Sequence, residues 1–362
     1  MQNLYKVEIF SQDYAFKSVA MLNSPQISMD YLTLEKTTLD VPLIEASRGD
    51  FVHVTDFYGD IIYQGIIQDI ADNGNTYSLS AAPLLSLLDV QVQYNYTIFK
   101  TQPLEQNIAS IITSTYINNA DSLQNIPGLT VTALTSTENT PLDIRSNIHA
   151  FWDIITSALT LYDIVVTAEL KPQDKEIAFT VQRVSEAISL EAELKNCLSK
   201  TFVLTDNYGT LNKMTFVDKN NESNVAVYYL HPDGSITQQN EDRITPVFFS
   251  AEYIEITANE DGETDPNDFR NTAYQRAYEA MTPEKYQHSI ELSYRESDPL
   301  IQPNTIQIGT MTTIYYNNNA YVSILTGYRN ESGVRTLLFG CIRLELTKKL
   351  ILEKRRAAND NA

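Results

Sequence analysis

Cysteine is almost absent from this chain of 362 residues, which contains only Cys197 and Cys341. The two stand far apart and neither belongs to a CxxC pair, so the sequence predicts neither a disulfide framework nor a zinc ribbon. A free cysteine usually serves as a small residue of a core. We predict that role for both, with Cys341 in a strand.

Histidine is also scarce, and the spacing of its four copies excludes the common metal motifs. They are His53, His149, His231 and His288. No two have metal-ligand spacing, and HExxH does not occur. We place His53 within a strand, His149 on a helix, His231 before a turn and His288 at the start of a strand. The sequence therefore predicts structural roles for all four, with no metal and no cofactor.

Long hydrophobic runs are missing as well. No stretch approaches the roughly 18 apolar residues that a membrane helix needs. The N-terminal segment is strand-like and is interrupted by Lys6, Glu8, Asp13 and Lys17, which excludes the apolar region of a secretory signal. We expect a chain that is made in the cytosol and does not insert into a membrane.

Basic residues are few, since 26 lysines and arginines stand against 46 acidic residues and give a formal net charge of -20. Such a charge repels polyphosphate, which argues against a protein that reads nucleic-acid sequence. It would suit a surface that nucleic acid must pass without binding. The length and the 43% hydrophobic content are ordinary for a globular chain of two to four domains.

Motifs of catalysis and ligand binding are absent too, because GxSxG, P-loop and GxGxxG sequences do not occur. Paired carboxylates for glycoside cleavage stay open, but the sequence singles out no pair. The acidic loop 259–265 lacks the ligand spacing of an EF-hand; we interpret it as solvated and leave a cation site open. The Arg48-Gly49-Asp50 tripeptide is interpreted as a turn that starts a strand. No catalytic, cofactor-binding or metal residue is predicted.

What the sequence does contain is a hairpin signal that occurs twice. Residues 48–70 place two runs rich in β-branched and aromatic residues around a DFYGD turn. Residues 308–328 show a similar order around an Asn317-Asn318-Asn319 turn that is two residues shorter. The alignment pairs Gly49 with Gly309, Tyr63 with Tyr321, Gly65 with Ser323, and 66–67 with 324–325. Alternating hairpins can resemble one another by chance, so duplication is a hypothesis at this point.

Periodicity along the chain predicts a mostly β, α+β protein of several domains. Helical spacing appears behind Pro103, behind Ser146 and from Asp265, and a short helical turn follows Pro83. The remaining segments read as short strands. The predicted domains are a first β-barrel module at 1–97, an inserted α/β domain at 98–198, a β segment at 199–250 that returns to or bridges the barrels, a second β-barrel module with one helix at 251–350, and a basic, disordered tail at 351–362.

In this order, the features resemble the phage tail hub family, the prophage tail or tail-associated proteins that share the fold of contractile-tail baseplate hubs. The resemblance covers about residues 1–350, and its last block is the most specific. The segments that carry it are 48–50 (RGD), 77–80 (YSLS), 84–89 (LLSLLD), the helix around Trp152, 212–215 (NKMT), 228–230 (YYL), 233–237 (DGSIT) and 243–247 (RITPV).

The resemblance implies a homotrimer in which each subunit supplies two β-barrel modules. Three chains then build a pseudo-sixfold ring at the tail tip of the virion, between the distal tail protein ring and the tip. The ring would surround a channel for the tape-measure protein and for DNA, which passes without specific binding.

One departure from the family concerns activity. Many members continue into C-terminal regions that cleave peptidoglycan or bind the host, whereas this sequence stops at Ala362. We therefore expect no enzyme activity and a separate receptor-binding or spike protein. The basic cluster of Lys348, Lys349, Lys354, Arg355 and Arg356 is either a solvated end or the point of attachment.

Three alternatives stay open. The chain could be a tail-borne cell-wall-degrading enzyme with a carboxylate pair that the sequence does not reveal. It could be a host-surface binding module, for which Tyr315-Tyr316 and Tyr94-Tyr96 are the nearest aromatic candidates. It could also be the hub of a bacterial contractile injection device.

Overall fold

The computed structural model describes residues 4–23, 25–94, 102–134, 147–204, 211–232, 234–245, 247–255, 266–281, 286 and 288–341. Within these residues the chain forms two β-modules and two smaller mixed units, in agreement with the predicted mostly β, α+β class. Four hydrophobic clusters fill them, one for each unit.

The first β-module is a six-stranded sheet in the order β2-β1-β5-β6-β7-β4. Alternation of apolar and polar residues sets its faces: in β4 the side chains of Thr37, Leu39 and Val41 are buried and their neighbours are exposed. The strands are β1 (Leu4–Phe10), β2 (Phe16–Asn23), β3 (Ile27–Asp30), β4 (Thr37–Pro42), β5 (Phe51–Thr55), β6 (Ile61–Asp72) and β7 (Thr76–Pro83), of which β3 lies outside this sheet.

The α/β unit follows a short 3-10 helix at Leu84–Leu88. Its elements are β8 (Gln91–Tyr94), α1 (Leu104–Tyr116), a second 3-10 turn (Ser122–Gln124), β9 (Leu129–Leu134), β10 (Asn147–Ala150), α2 (Phe151–Tyr162), β11 (Ile164–Lys171) and β12 (Glu176–Arg183). Strands β11, β12 and β9 form one sheet, and β10 pairs with β8. Asp163 ends α2 in the left-handed conformation, with φ of 58°.

A four-stranded sheet and one helix make up the third unit. Its elements are β15 (Lys213–Asp218), β16 (Val225–Leu230), β17 (Ile236–Thr237), β18 (Phe249–Ile254) and α3 (Pro266–Met281), in the sheet order β17-β16-β15-β18. Phe269, Ala273 and Ala277 of α3 pack on one face of this sheet. The small side chains let the helix approach closely, and the sheet's other face is left uncovered by α3.

The second β-module is a seven-stranded sheet in which the path β13-β20-β21-β22-β19-β14 is joined by β3. Its strands are β13 (Ser185–Glu191), β14 (Ser199–Leu204), β19 (His288–Arg295), β20 (Thr310–Tyr316), β21 (Asn319–Glu331) and β22 (Val334–Phe339), with a 3-10 turn at Pro299–Ile301. Strand β3 comes from the first quarter of the chain and pairs with β21 in antiparallel fashion, so it ties the two β-modules together.

The structure corrects several local predictions. His149 lies in β10 and not on a helix, since the helix begins only at Phe151 and Ile148 pairs with Gln93 of β8. The apolar spacing that begins at Ile148 fits a helix, but the backbone at Ala150 is still extended. Cys341 lies beyond the end of β22 and not in a strand.

The predicted domain limits stay predictions, but strand pairing and helix packing cross them. Strand β13 of the predicted α/β domain pairs with β20, and β18, which spans the predicted limit between residues 250 and 251, pairs with β15. The helix α3 packs on the four-stranded sheet. Strands β13 and β20 lie more than 100 residues apart in the sequence, and such a pairing leaves no trace in the local periodicity.

None of the helices in the described part of the chain is long and apolar enough to cross a membrane.

Candidate assembly surface

The two β-modules begin their hairpins with the same turn. Gly49 and Gly309 both have positive φ, at 86° and 88°, a conformation that glycine adopts without strain. The Gly49 N–H donates to the Ile67 carbonyl at 2.7 Å, and the Gly309 N–H donates to the Leu325 carbonyl at 2.9 Å. The equivalence of these two glycines, predicted from the sequence, is confirmed.

The residue after each glycine closes the turn with its side chain. The Asp50 carboxylate accepts the Ser47 N–H at 2.7 Å and the Lys17 ammonium at 2.8 Å, while the Thr310 hydroxyl accepts the Gln307 N–H at 3.0 Å. Asp50 is buried, so the Arg48-Gly49-Asp50 tripeptide is the strand-starting turn that the sequence predicts.

The hairpins also share one register. In the first module Phe51 pairs with Ile66 and Val54 with Tyr63. In the second, Met311 pairs with Ile324 and Ile314 with Tyr321. Each pair is the one that the predicted alignment matches, so Tyr63 and Tyr321 occupy equivalent places. The environments differ, since the Tyr63 hydroxyl is buried and donates to the Ala81 carbonyl at 2.8 Å, whereas Tyr321 is half-buried.

Both long strands then bulge at the same point. The pairing of β6 with β7 shifts between Ile67 and Asp69, and that of β21 with β22 shifts between Leu325 and Gly327. A β-bulge inserts one unpaired residue and bends the strand. A bulge at the same position in both modules therefore extends their equivalence to the third strand. The predicted equivalence of the two hairpins therefore extends from the opening turn to the end of β7 and β22.

The modules contact each other mainly through the second half of β21. There, β3 pairs along Gly327 to Asn330. The Thr326 carbonyl accepts the Tyr31 N–H at 2.8 Å, and the Tyr328 hydroxyl donates to the Ile62 carbonyl at the start of β6. Burial raises the pKa of Tyr328 to about 12, so this hydroxyl stays protonated and able to donate at neutral pH.

A buried cation strengthens this junction. Arg335 donates from Nε to the Asn330 side-chain oxygen and from Nη1 to the Ile301 carbonyl, both at 2.9 Å. Its guanidinium also lies 5.9 Å from the centre of the Tyr328 ring. Beside it, burial raises the pKa of Tyr5 of the first module, and a hydrogen bond with Glu296 raises it further. A polar network thus crosses from one module to the other.

The α/β unit covers the Gln64 position of the first hairpin but leaves the matching position of the second hairpin exposed. The Gln64 side chain makes two hydrogen bonds to Leu170 of β11, of 2.8 and 2.9 Å, and His53 lies beside it in the register. The matching residue of the second hairpin is Val322, which is 54% exposed. Equivalent faces therefore have different surroundings.

The first hairpin ends in two exposed aromatic side chains. Phe57 and Tyr58 are 78% and 77% exposed, and their rings pack edge to face at 5.7 Å. The turn is fixed by Asp56, whose carboxylate accepts the N–H groups of Tyr58 and Asp60. Sequence reasoning treated these residues as turn residues alone, although an aromatic pair in a turn is itself a signal of an exposed contact.

The aromatic candidates named from the sequence are mostly packed. Tyr94 is buried, and Tyr316 stacks on Phe202 with ring centres 4.4 Å apart. Tyr315 is 41% exposed on β20. Tyr96 lies outside the described residues.

The histidines sit in separate places. His53 lies beside Gln64, His149 packs against Tyr94, His231 contacts Thr237 at 2.9 Å, and His288 contacts the Ser323 hydroxyl at 2.6 Å. Burial lowers the pKa of both His53 and His288. Among the described residues, no group of three or more histidine, cysteine or acidic side chains could hold a metal ion.

The cysteines are separate as well. Cys197 is partly buried, its thiol lies 3.3 Å from the Ser199 carbonyl, and burial raises its pKa, which disfavours the reactive thiolate. The acidic loop 259–265 and the basic cluster from Lys348 to Arg356 lie outside the described residues.

A cavity of about 570 Å³ lies where the first module, the α/β unit and the second module meet. Its lining includes Asp60, Glu169, Lys171 and Arg335. Because this set combines both signs of charge, it indicates no particular ligand.

Comparison with known proteins gives a fold. No family model matches the sequence, and no curated protein sequence matches it at a significant level. The 43 kDa tail protein of prophage MuSo2 from Shewanella oneidensis is similar in structure, with a TM-score of 0.50 and 12% identity over 92% of this chain and 97% of that one. The prophage tail protein gp18 from Listeria monocytogenes EGD-e also has a TM-score of 0.50, with 10% identity over 96% of this chain and 98% of that one. The chain therefore has the fold of prophage tail proteins, as the resemblance in its sequence predicts.

Proposed function

We propose that this chain is the structural hub of a phage or prophage tail, located at the tail tip or baseplate of the virion. In this role three copies form a pseudo-sixfold ring that joins the distal tail to the tip. The ring surrounds the channel through which the tape-measure protein and DNA pass.

The observation that carries the proposal is the duplication of the β-module within one chain. The two hairpins share their opening turn, register and bulge. Three chains can present six similar docking surfaces only if each supplies two, so a duplicated module suits an adaptor between a sixfold tail and a threefold tip. The fold shared with two prophage tail proteins supports the same role.

The composition fits a channel for DNA. A net charge of -20 disfavours binding of phosphate, so DNA could pass without being held. The proposed partners are a distal tail protein ring, the tape-measure protein and a separate receptor-binding or spike protein. The chain itself has no enzymatic role in this proposal.

The assembly state tests the hub directly. Light scattering on the purified chain should give three times the 40.9 kDa of one chain, and electron microscopy should show a ring with six similar lobes. A stable monomer at every accessible concentration would contradict the ring.

The enzyme alternative has its own test. Incubation of the protein with peptidoglycan should release no soluble fragments. Lysis that disappears when a single carboxylate is replaced would overturn the purely structural role.

A second candidate, binding to the host surface, is favoured by the uncovered face of the four-stranded sheet. Phe249 and Tyr253 of the edge strand β18 point to this face and are 72% and 58% exposed, and Val225 of β16 is exposed on the same face. Aromatic rings with free faces are frequent in binding surfaces. Sedimentation with purified host cell walls would reveal such binding, and Phe249→Ala should abolish it.

A further inference from the structure

The four charged side chains that line the cavity between the β-modules and the α/β unit differ in burial. Asp60 and Lys171 are half-buried and Glu169 is exposed, while Arg335 is only 4% exposed. Taken together these charges select no ligand, but the buried one has different surroundings from the other three.

The buried guanidinium of Arg335 has no ionic partner among the described residues. Its hydrogen bonds go to two neutral acceptors, the Asn330 side-chain oxygen and the Ile301 carbonyl. The buried Glu296 carboxylate hydrogen-bonds to Tyr5 of the first module and forms no ion pair with Arg335. Arginine is rarely buried without a paired anion, because removal of its charge from water is costly.

One nitrogen of this guanidinium remains available to a ligand. Nε and Nη1 are the donors in the two bonds to Asn330 and Ile301, and Nη2 has no acceptor in the described part of the chain. Nη2 is not sealed off by protein, so it is reached from the space that Arg335 lines. Its two N–H groups can therefore donate to an anion in the cavity.

The walls of the cavity are largely aliphatic. Buried aliphatic side chains come from the first module, the 3-10 helix after it and the second module, among them Ile62, Leu84, Ile301, Ile306, Leu325 and Leu337. The volume of about 570 Å³ is in the range of pockets that hold small organic ligands. A ligand with an apolar body would bury it against these side chains.

The remaining charges limit the ligand to a single negative charge. Lys171 lies 3.6 Å from the Glu169 carboxylate and 3.5 Å from the Glu176 carboxylate, so its charge is already compensated. Asp60 and Glu169 would repel a second negative charge on the ligand. A carboxylate meets this limit and accepts strong hydrogen bonds from a guanidinium, whereas a phosphate dianion exceeds it.

We infer that the cavity binds a monocarboxylate with an apolar body, of the fatty-acid class, with its carboxylate on Nη2 of Arg335 and its chain against Leu325, Leu337 and Ile62. Because three units of the fold line the cavity, such a ligand contacts all three and stabilises their relative positions. The inference goes beyond the proposed hub and does not depend on it, since all the residues involved belong to one chain.

A matched pair of probes tests the site without any substitution. Octanoate and octan-1-ol have the same chain length and differ in the charge of the head group. Isothermal titration calorimetry on the full chain should show one octanoate bound per chain, with octan-1-ol about tenfold weaker. Octanoate should also raise the melting temperature, because it binds the folded state. Equal affinities for the two probes, or no saturable binding of octanoate, would overturn the inference.

Removal of the cation tests the role of Arg335. Arg335→Met should weaken octanoate binding about tenfold and leave octan-1-ol binding unchanged. Arg329→Met is the matched control, since Arg329 is an exposed residue of the neighbouring strand that does not line the cavity, and it should change neither affinity. Circular dichroism at the temperature of the titration checks that both variants are folded. A folded Arg335→Met protein that still prefers octanoate would contradict the assignment.

A substitution that fills the cavity gives a test outside the Arg335 network. Ala178 is half-buried on β12 and lines the cavity, so the indole of Ala178→Trp would occupy its space. This variant should bind neither probe. Ala320→Trp, at an exposed position of β21 outside the lining, should bind both as the unmodified chain does. Undiminished octanoate binding by Ala178→Trp would locate the ligand elsewhere and overturn the inference.

The site and the hub fail separately. A trimer that does not bind octanoate overturns the ligand site and leaves the hub in place. A monomer that binds octanoate with the expected dependence on Arg335 supports the site and contradicts the ring.

Discussion

Asp69 and Gly327 hold the same position in the two β-modules, the first paired residue after the bulge of the long strand. At Gly327 a Cβ atom would lie 2.6 Å from the Met29 carbonyl oxygen, because β3 runs directly alongside. At Asp69 no strand of the described residues intrudes; the carboxylate pairs with Arg48 and accepts the Ile70 N–H. The same backbone position therefore lies at a strand edge that β3 covers in the second module and at an exposed, charged strand edge in the first.

The two modules diverge where their surroundings differ. The turns, register and bulge stay alike because they are set by backbone hydrogen bonds within each module. Residue type and exposure differ at two matched pairs, Asp69 with Gly327 and Gln64 with Val322. At these positions they depend on what packs against the module from outside.

Exchange of the residues at this position should have the largest effect. Gly327→Asp should destabilise the protein by more than about 3 kcal/mol, because the side chain must displace β3 or bury an unpaired carboxylate. Asp69→Gly should leave the urea midpoint nearly unchanged. Equal losses from both changes would mean that the first module's edge is covered in the same way.

Arg335 should rank next. Arg335→Met should lower the free energy of unfolding by about 3 kcal/mol, since the Ile301 carbonyl and the Asn330 side-chain oxygen lose a buried cationic donor. The equivalent residue of the first module is Tyr77, and Tyr77→Phe should change it by less than about 0.5 kcal/mol. Urea unfolding of both variants makes the comparison.

Loss of the turn-closing side chains, Asp50 and Thr310, should have smaller effects on the free energy of unfolding. Asp50→Ala should lower the free energy of unfolding by about 2 kcal/mol, because the Ser47 N–H and the Lys17 ammonium lose their buried carboxylate acceptor. Thr310→Ala removes the neutral bond from the Gln307 N–H and should cost about 1 kcal/mol. If Thr310→Ala proved the more costly, the turn of the second module would depend on contacts other than this hydroxyl.

The smallest effect concerns pH. Burial lowers the pKa of His53 in the first module and of His288 in the second, so the folded state binds fewer protons than the unfolded state. Stability is then fully present above the unfolded pKa of about 6.5 and is lost as pH falls below it. His53→Gln and His288→Gln should each flatten the dependence of melting temperature on pH in that window. If the dependence of melting temperature on pH were unchanged in both variants, groups other than these two histidines would be responsible for it.

Several parts of the fold could be predicted because their signals are local. The first hairpin, the helix behind Pro103 and the 3-10 turn after Pro83 follow from alternation, helical spacing and proline.

Other parts depend on contacts between distant segments. The start of α2 was placed too early because Ile148 fits a helical pattern while its backbone pairs with β8. The pairing of β13 with β20 could not be predicted, because the two strands lie more than 100 residues apart along the chain.

The repeated hairpin follows from local signals, since Gly49 and Gly309 set the turn and alternating side chains set the faces of the strands. The departure of β3 from its own module, to close the edge of the other one, follows from tertiary packing. A strand edge offers the same backbone donors and acceptors whatever its sequence, so the packing around it selects the partner.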